Sequence, residues 1–437
     1  MHTTTRRAAA PAPWGVACFL MVLWAPASSG CAAPAAASVT GVVPAKWPTD
    51  TPAPVAVPIL ESWKPQLSPD RPARLRITLP ARSHQLDVPA QFEPADKSSG
   101  TPDRLWFFFQ ATPDDAARPI TLTLAGTSDA DKPYRSSYDA PRLEIRTPDD
   151  EPILAYHHGE PIMERHYPLN DFIHPLIGLD GEVLTARSPG DHIHHRGVFW
   201  AWVRHQIDGK SVGDWWHPTN IHAEARDIHP AEGPVFASFT ARHDWTHTPR
   251  EAGGDKDKQL PFVAEHVVCR VFKTLPQGRA VDVDISLRGL VPGVRIGGTL
   301  AKDKGYGGMT IRFGAADDRL IESDGRVIRQ KSLNQLRASW VDWTGHFHNK
   351  EGKPAARRSG AALMTSADHP DHPPLWITRY YGPINVSWPG MEMVDLPTDK
   401  SVHLRYRIWI HRGDARGGHV ENHYQAYVAD WNWPTGS

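Results

Sequence analysis

Cysteine is scarce, with three residues in a chain of 437: Cys18, Cys31 and Cys269. Three thiols cannot form a repeated disulfide framework, so the fold must rest on a packed core. Cys269 falls in an apolar alternating run, 262–272, and is expected to be a buried, inert thiol. Charge of one sign is also lacking, since 48 Lys and Arg stand against 49 Asp and Glu. That balance makes no electrostatic case for nucleic acid as a partner. Past the N-terminus, no apolar run approaches the ~20 residues that cross a bilayer, so no transmembrane span is expected. Helical periodicity is sparse, which argues against βαβ units.

What the chain does have is 41 Pro, 24 His and 17 Trp. Proline interrupts long helices and favours loops and strand edges. Tryptophan suits either a β-sandwich core or a sugar-binding surface, because its face packs on C–H groups while its N–H seeks a partner. Histidine titrates near neutrality and binds metals.

The first ten residues carry Arg6 and Arg7 and no acid. An apolar stretch over 14–27 follows, and Ser28, Ser29 and Gly30 lead to Cys31. This layout predicts a signal peptide over residues 1–31. Either it is of the lipoprotein type, with a lipid anchor at Cys31, or ordinary cleavage falls within 32–38. The expected location is the periplasm, the outer membrane through that anchor, or the medium. Residues 32–58, rich in Ala, Pro, Thr and Val, read as a flexible linker.

Short alternating runs punctuated by Pro, Gly, Asp and Asn recur along the rest, among them 73–79, 105–110, 142–146, 198–203, 262–272, 280–287, 308–313 and 403–411. They predict an all-β, antiparallel fold. In 280–287, Val281, Val283, Ile285 and Leu287 alternate with Asp282, Asp284 and Ser286, which predicts a strand with one wet face. The turn at 148–151 suggests a boundary between a small β-domain, 59–147, and a larger β-domain, 148–437.

The chemistry-bearing segment is 171–218. It holds Asp-Phe-Ile-His-Pro at 171–175, Gly-Asp-His-Ile-His-His-Arg-Gly at 190–197, an aromatic strand at 198–203 and Asp-Trp-Trp-His-Pro at 214–218. If 191–196 is extended, His192 and His194 share one face and His195 takes the other. One use of the set is a divalent metal on His192 and His194, with His174, Asp214 or His217 as a third ligand. The other is metal-free acid–base catalysis by Asp191, His192, His194 and His195, with Arg196 binding a carboxylate or an oxyanion. Phe199, Trp200, Trp202, Trp215 and Trp216 are the candidate walls of a pocket, with His174 and His217 lining it. Farther along, Lys302 lies in a Gly-flanked loop and Asp342 sits between two indoles. Arg379 and Tyr381 follow as candidate substrate contacts.

These residues carry a resemblance. His-Pro at 174–175, Asp-His-Ile-His-His-Arg-Gly at 191–197, the segment 297–312, Trp-Val-Asp-Trp-Thr-Gly at 340–345, the stretch 368–382 and Arg-Tyr-Arg-Ile at 405–408 resemble, in order, the PmoA-like family. This is a bacterial family of uncharacterised proteins named after a methane oxygenase subunit, and the likeness covers about residues 141–412. The subunit of that name is an integral membrane protein, and this chain lacks the spans to be one. The resemblance instead implies a β-supersandwich of the galactose-mutarotase type, a scaffold used largely on carbohydrates.

Three functions are therefore weighed: an exported enzyme acting on a saccharide or sugar derivative, a non-catalytic carbohydrate-binding or cell-surface protein, and a metal-dependent oxidase. The expected partner is a small-molecule or glycan substrate, and a divalent metal is the cofactor that one of these readings requires.

Overall fold

The computed structural model describes residues 37–434 except 83–84, 97–100, 140, 160, 165 and 250–257. The expected signal peptide, Cys18 and the Cys31 anchor lie outside the described residues. Among the described residues, no helix is long and apolar enough to cross a membrane.

The alternating runs form strands, and the fold is all-β and sandwich-like, as expected. Among the described residues two antiparallel sheets of nine strands dominate. The first has Val198–Ala201 at its centre, flanked by Phe172–Leu176 and Gly308–Arg312. The second is built on the long strands Phe236–His247, Leu260–Phe272, Gly278–Gly289 and Val402–Arg412. Their inner faces meet in one apolar core. Tyr156 stacks on Phe239 with centroids 4.5 Å apart, and Phe313 stacks on Trp343 at 4.8 Å. Cys269 is buried there as a free thiol, its pKa pushed up by burial.

A six-stranded antiparallel sheet covers the outer face of the second large sheet. Its strands run from Ser38–Val42 to Pro119–Thr127, and Arg135–Asp139 and Arg142–Arg146 already belong to the first large sheet. The change of sheet therefore falls between residues 127 and 135 rather than at 148. The linker reading of 32–58 is also corrected, because Ser38–Val42 and Ala53–Pro58 are the two edge strands of this sheet. Buried Val39, Val55 and Val57 supply the alternation, and Pro54 and Pro58 are tolerated at an edge, where a missing N–H costs no ladder bond.

This covering sheet removes the expected wet face of strand Gly278–Gly289. Asp282 is buried against Arg407, whose Nε and Nη2 donate at 2.6 and 2.8 Å. Asp284 accepts from Arg270 at 2.7 Å, and Arg270 also donates to Glu93 of the covering sheet at 2.6 Å. A charged row that another layer covers must be paired, and here it is. The layer is closed from the C-terminal side by helix Val420–Tyr427 and by Trp431, which meets Trp47 with centroids 4.8 Å apart.

Candidate functional site

The histidine segment enters the central strand of the first large sheet, but it is not extended. Arg187 bridges Arg196, and between them the chain turns: His192 N–H donates to the Pro189 carbonyl at 2.9 Å and His195 N–H to the His192 carbonyl at 3.0 Å. Gly197 makes the exit into the strand at φ 73°, where a Cβ would stand 2.3 Å from the Ile173 carbonyl oxygen. Only glycine fits that combination.

The turn overturns the expected division of faces and gathers the three imidazoles. His192 stacks on His195 with centroids 4.7 Å apart, and His194 stands edge-on to His195 at the same distance. A second turn brings the fourth ring. Trp215 and Trp216 anchor it by donating backbone N–H groups to the Trp202 carbonyl, and His217 lies 4.3 Å from His194, centroid to centroid. Asp214 holds His217 twice: its Oδ1 accepts the backbone N–H at 2.9 Å and its Oδ2 accepts Nδ1–H at 2.8 Å. With Nδ1 bound to the carboxylate, Nε2 presents its lone pair.

Arg312, at the end of strand Gly308–Arg312, donates Nη2 to both oxygens of Asp191 at 2.8 and 3.0 Å. Burial opposes the charge on Asp191, but His192 and Arg312 outweigh it and hold the carboxyl below its ordinary pKa. Tyr381, in the turn between strands Leu375–Arg379 and Pro383–Val386, stacks on His192 at 5.5 Å, and the Arg312 guanidinium lies 5.1 Å from its ring centre. Tyr167 and Tyr306 meet His194 and His217 from the other sides. Tyr381 and the side chains of His192, His217 and Asp191 are partly exposed, so the site opens to solvent.

Desolvation lowers the His194 pKa to about 3, helped by the neighbouring His217 and His192. Burial also drives His195 far below its ordinary value, and His194 adds to the effect. Both rings are neutral at neutral pH. His194 and His195 therefore resist protonation, and His217, partly exposed with its Nδ1 on Asp214, is the imidazole placed to meet a proton at Nε2, beside Arg312 and tyrosine hydroxyls.

Other expected site residues are elsewhere. Arg196 is fully buried, with its guanidinium 4.8 Å from the Phe199 ring centre and 4.7 Å from that of Trp215. Burial pulls its pKa down to about 10, so it stays a cation within the core. Trp200, Trp202 and Trp215 are core residues, not pocket walls: Trp200 donates to Glu265 and Trp202 to the Trp388 carbonyl. Trp216 is buried too, yet it packs on His195 and on Tyr306 directly behind the cluster. His174 turns its Nδ1 to Thr185 at 3.0 Å. Lys302 stands exposed on the turn Ala301–Asp303. Asp342 lies in the second large sheet, buried against His411 at 3.0 Å. Arg379 bonds Asn334 and the Leu333 carbonyl, and it adjoins the cluster through the Tyr381 hydroxyl.

The metal expectation is corrected as well. His192, His194 and His174 do not bring ligand atoms together. Among the described residues, one group of three such side chains converges within 4.8 Å: Asp171, His243 and Glu265, in the core. Sequence reasoning missed His243, Glu265, Tyr306 and Tyr167. The signal for the first two was an ionisable residue among otherwise apolar alternate positions of a strand, His243 between Ala241 and Trp245 and Glu265 between Val263 and Val267.

Residues 145–425 match a family of unknown function, DUF6807. The chain belongs to this family. No curated protein matches the chain. The DUF6807 segment contains the histidine cluster, Arg312, Tyr381 and the buried triad, and it leaves out all six strands of the covering sheet.

Proposed function

We propose that this chain is an exported enzyme that acts on a saccharide or sugar derivative by proton transfer at the histidine cluster. The observation that carries the reading is the Asp214–His217 pair, with Nδ1···Oδ2 at 2.8 Å, set against a neutral His194 4.3 Å away. A carboxylate at Nδ1 fixes the tautomer and stabilises the imidazolium that forms when Nε2 takes a proton, as a general base requires. Arg312, fixed by Asp191, supplies positive charge for an oxyanion or a substrate carboxylate. Tyr381, exposed at the rim and stacked on His192, offers an aromatic face and a hydroxyl to a sugar ring. The PmoA-like resemblance fits as kinship of scaffold, not of oxygenase chemistry.

The test is product release from a panel of glycans and oxidised glycosides by the wild-type chain and by His217→Gln. Turnover that drops at least ~100-fold in the variant supports the reading. Turnover unchanged in His217→Gln refutes the site. Saturable glycan binding with no product, retained in the variant, favours the carbohydrate-binding alternative.

A further inference from the structure

The second polar feature is sealed between the two large sheets. Strand Phe236–His247 turns Phe239, Ala241, His243 and Trp245 into the core, and Leu260–Phe272 turns Val263, Glu265, Val267 and Cys269 inward. Their register sets His243 directly opposite Glu265. Asp171 reaches them from the opposing sheet, at the residue before strand Phe172–Leu176. Asp171, His243 and Glu265 are 0, 1 and 2 % exposed.

One atom of each carboxylate is already occupied by a neutral donor. The Tyr156 hydroxyl donates to Asp171 Oδ1 at 2.8 Å, and the Trp200 indole N–H donates to Glu265 Oε1 at 2.5 Å. What is left is one atom from each residue. Asp171 Oδ2, Glu265 Oε2 and His243 Nδ1 are buried without a well-formed hydrogen bond, and the last two stand 3.5 Å apart; beyond these, the two carboxyls lie within reach of each other and Glu265 within reach of the Trp245 indole. Unpartnered polar atoms in a dry core are costly, and three aimed together mark a missing partner. Charge points the same way. Two carboxylates face one buried cation, Arg196, which is held in the field of Asp171, Glu265 and Asp214. At the point where the three atoms converge, either a divalent cation or a proton shared between the carboxyls supplies the remaining positive charge.

We propose that Asp171, His243 and Glu265 bind a divalent first-row cation, Zn²⁺ or Mn²⁺, within the sandwich. One imidazole and two carboxylates are the mixed nitrogen and oxygen donors such ions take. Tyr156 and Trp200 fix the carboxylates by holding their other oxygens, as the outer partners of metal ligands do. The site lies in the core, shares no residue with the histidine cluster and is independent of the saccharide reading. Its role is to tie the two sheets together, because Asp171 comes from one and His243 and Glu265 from the other.

The test is metal content of the untagged full chain, purified without immobilised metal and measured by inductively coupled plasma mass spectrometry. About one equivalent of Zn²⁺ or Mn²⁺ per chain is expected, falling at least ~tenfold in Glu265→Gln and Asp171→Asn. His194→Ala and His217→Gln, which alter only the surface cluster, keep the metal. Wild-type chain stripped by chelator under mild denaturant loses thermal stability, and Zn²⁺ or Mn²⁺ restores it, an arm that stands if Glu265→Gln fails to fold. Metal-free wild type with no response to chelator or added ion overturns the proposal and assigns the missing charge to a proton shared between the carboxyls. Metal lost in His194→Ala but kept in Glu265→Gln overturns it in favour of the surface histidines.

Discussion

His217 donates its Nδ1–H to Oδ2 of Asp214 at 2.8 Å, while Oδ1 of the same carboxylate accepts the His217 backbone N–H. Sequence separation is three residues, so one short turn fixes both the position and the tautomer of the ring. Asp214→Asn keeps the shape of that turn but can present an N–H where the imidazole needs an acceptor. Turnover of a saccharide substrate is expected to fall ~100-fold or more, with thermal stability nearly unchanged. Steady-state kinetics and a melting curve on the same preparation check both halves.

His194 and His192 differ in burial, and their alanine variants are expected to separate. His194 touches His195, His217 and Tyr167 inside the cluster, whereas His192 stacks on the partly exposed Tyr381. His194→Ala should lower kcat, and His192→Ala should mainly raise KM. Equal effects on both constants in both variants would contradict this division of labour.

Stability should fall with acid. Desolvation holds His194 near pKa 3 in the folded chain, against an ordinary value of 6.5. The unfolded chain therefore binds the proton first, and folding stability is complete above pH 6.5 and declines as pH drops from there towards 3. His157 and His423, lowered to about 4 and about 3 by burial, act in the same direction. Urea denaturation at pH 7.5 and 5 should show the loss, and His194→Gln, which cannot ionise, should flatten part of the slope.

Gly197→Ala is expected to damage both fold and site. The φ of 73° costs a non-glycine residue about 1–3 kcal/mol, and the new Cβ would also strike the Ile173 carbonyl. Denaturant unfolding measures the first effect, and loss of turnover at temperatures where the variant remains folded measures the second.

Arg270→Ala should cost about 3–5 kcal/mol, because it strands Glu93 and Asp284 in the layer between the covering sheet and the sandwich. Adding Glu93→Gln and Asp284→Asn to the same chain should recover part of the loss. A single variant as stable as wild type in urea would show that the pair is solvated.

The strands were legible because alternation survives in single-sequence patterns, and the histidine cluster was legible because its composition is unusual. Its geometry was not. Whether 191–196 runs extended or turns depends on the bridge between Arg187 and Arg196 and on the packing of Gly197 against Ile173, both of which are tertiary. The tryptophans misled for a related reason. An indole is equally suited to a pocket or a core, and only the opposing sheet decides that Trp200 faces Glu265 rather than solvent. Asp282 and Asp284 looked wet because nothing in their own strand announces the layer above them. Asp342 and Arg379 lie far from the cluster in sequence, and no local pattern tells which of two distant residues the topology will deliver to a site.

The covering sheet separates two units that are easily confused. The segment shared with other DUF6807 members starts at Ile145, yet the sandwich buries Trp106 against Phe272 and rests Arg270 on Glu93. A chain begun at the family boundary would also lose strand Arg135–Asp139 and most of Arg142–Arg146, the outermost two strands of the first large sheet. It would bare the apolar patch around Trp106's partners Phe236 and Phe272 and leave Trp431 without Trp47. What relatives hold in common is thus smaller than what must fold together in this protein.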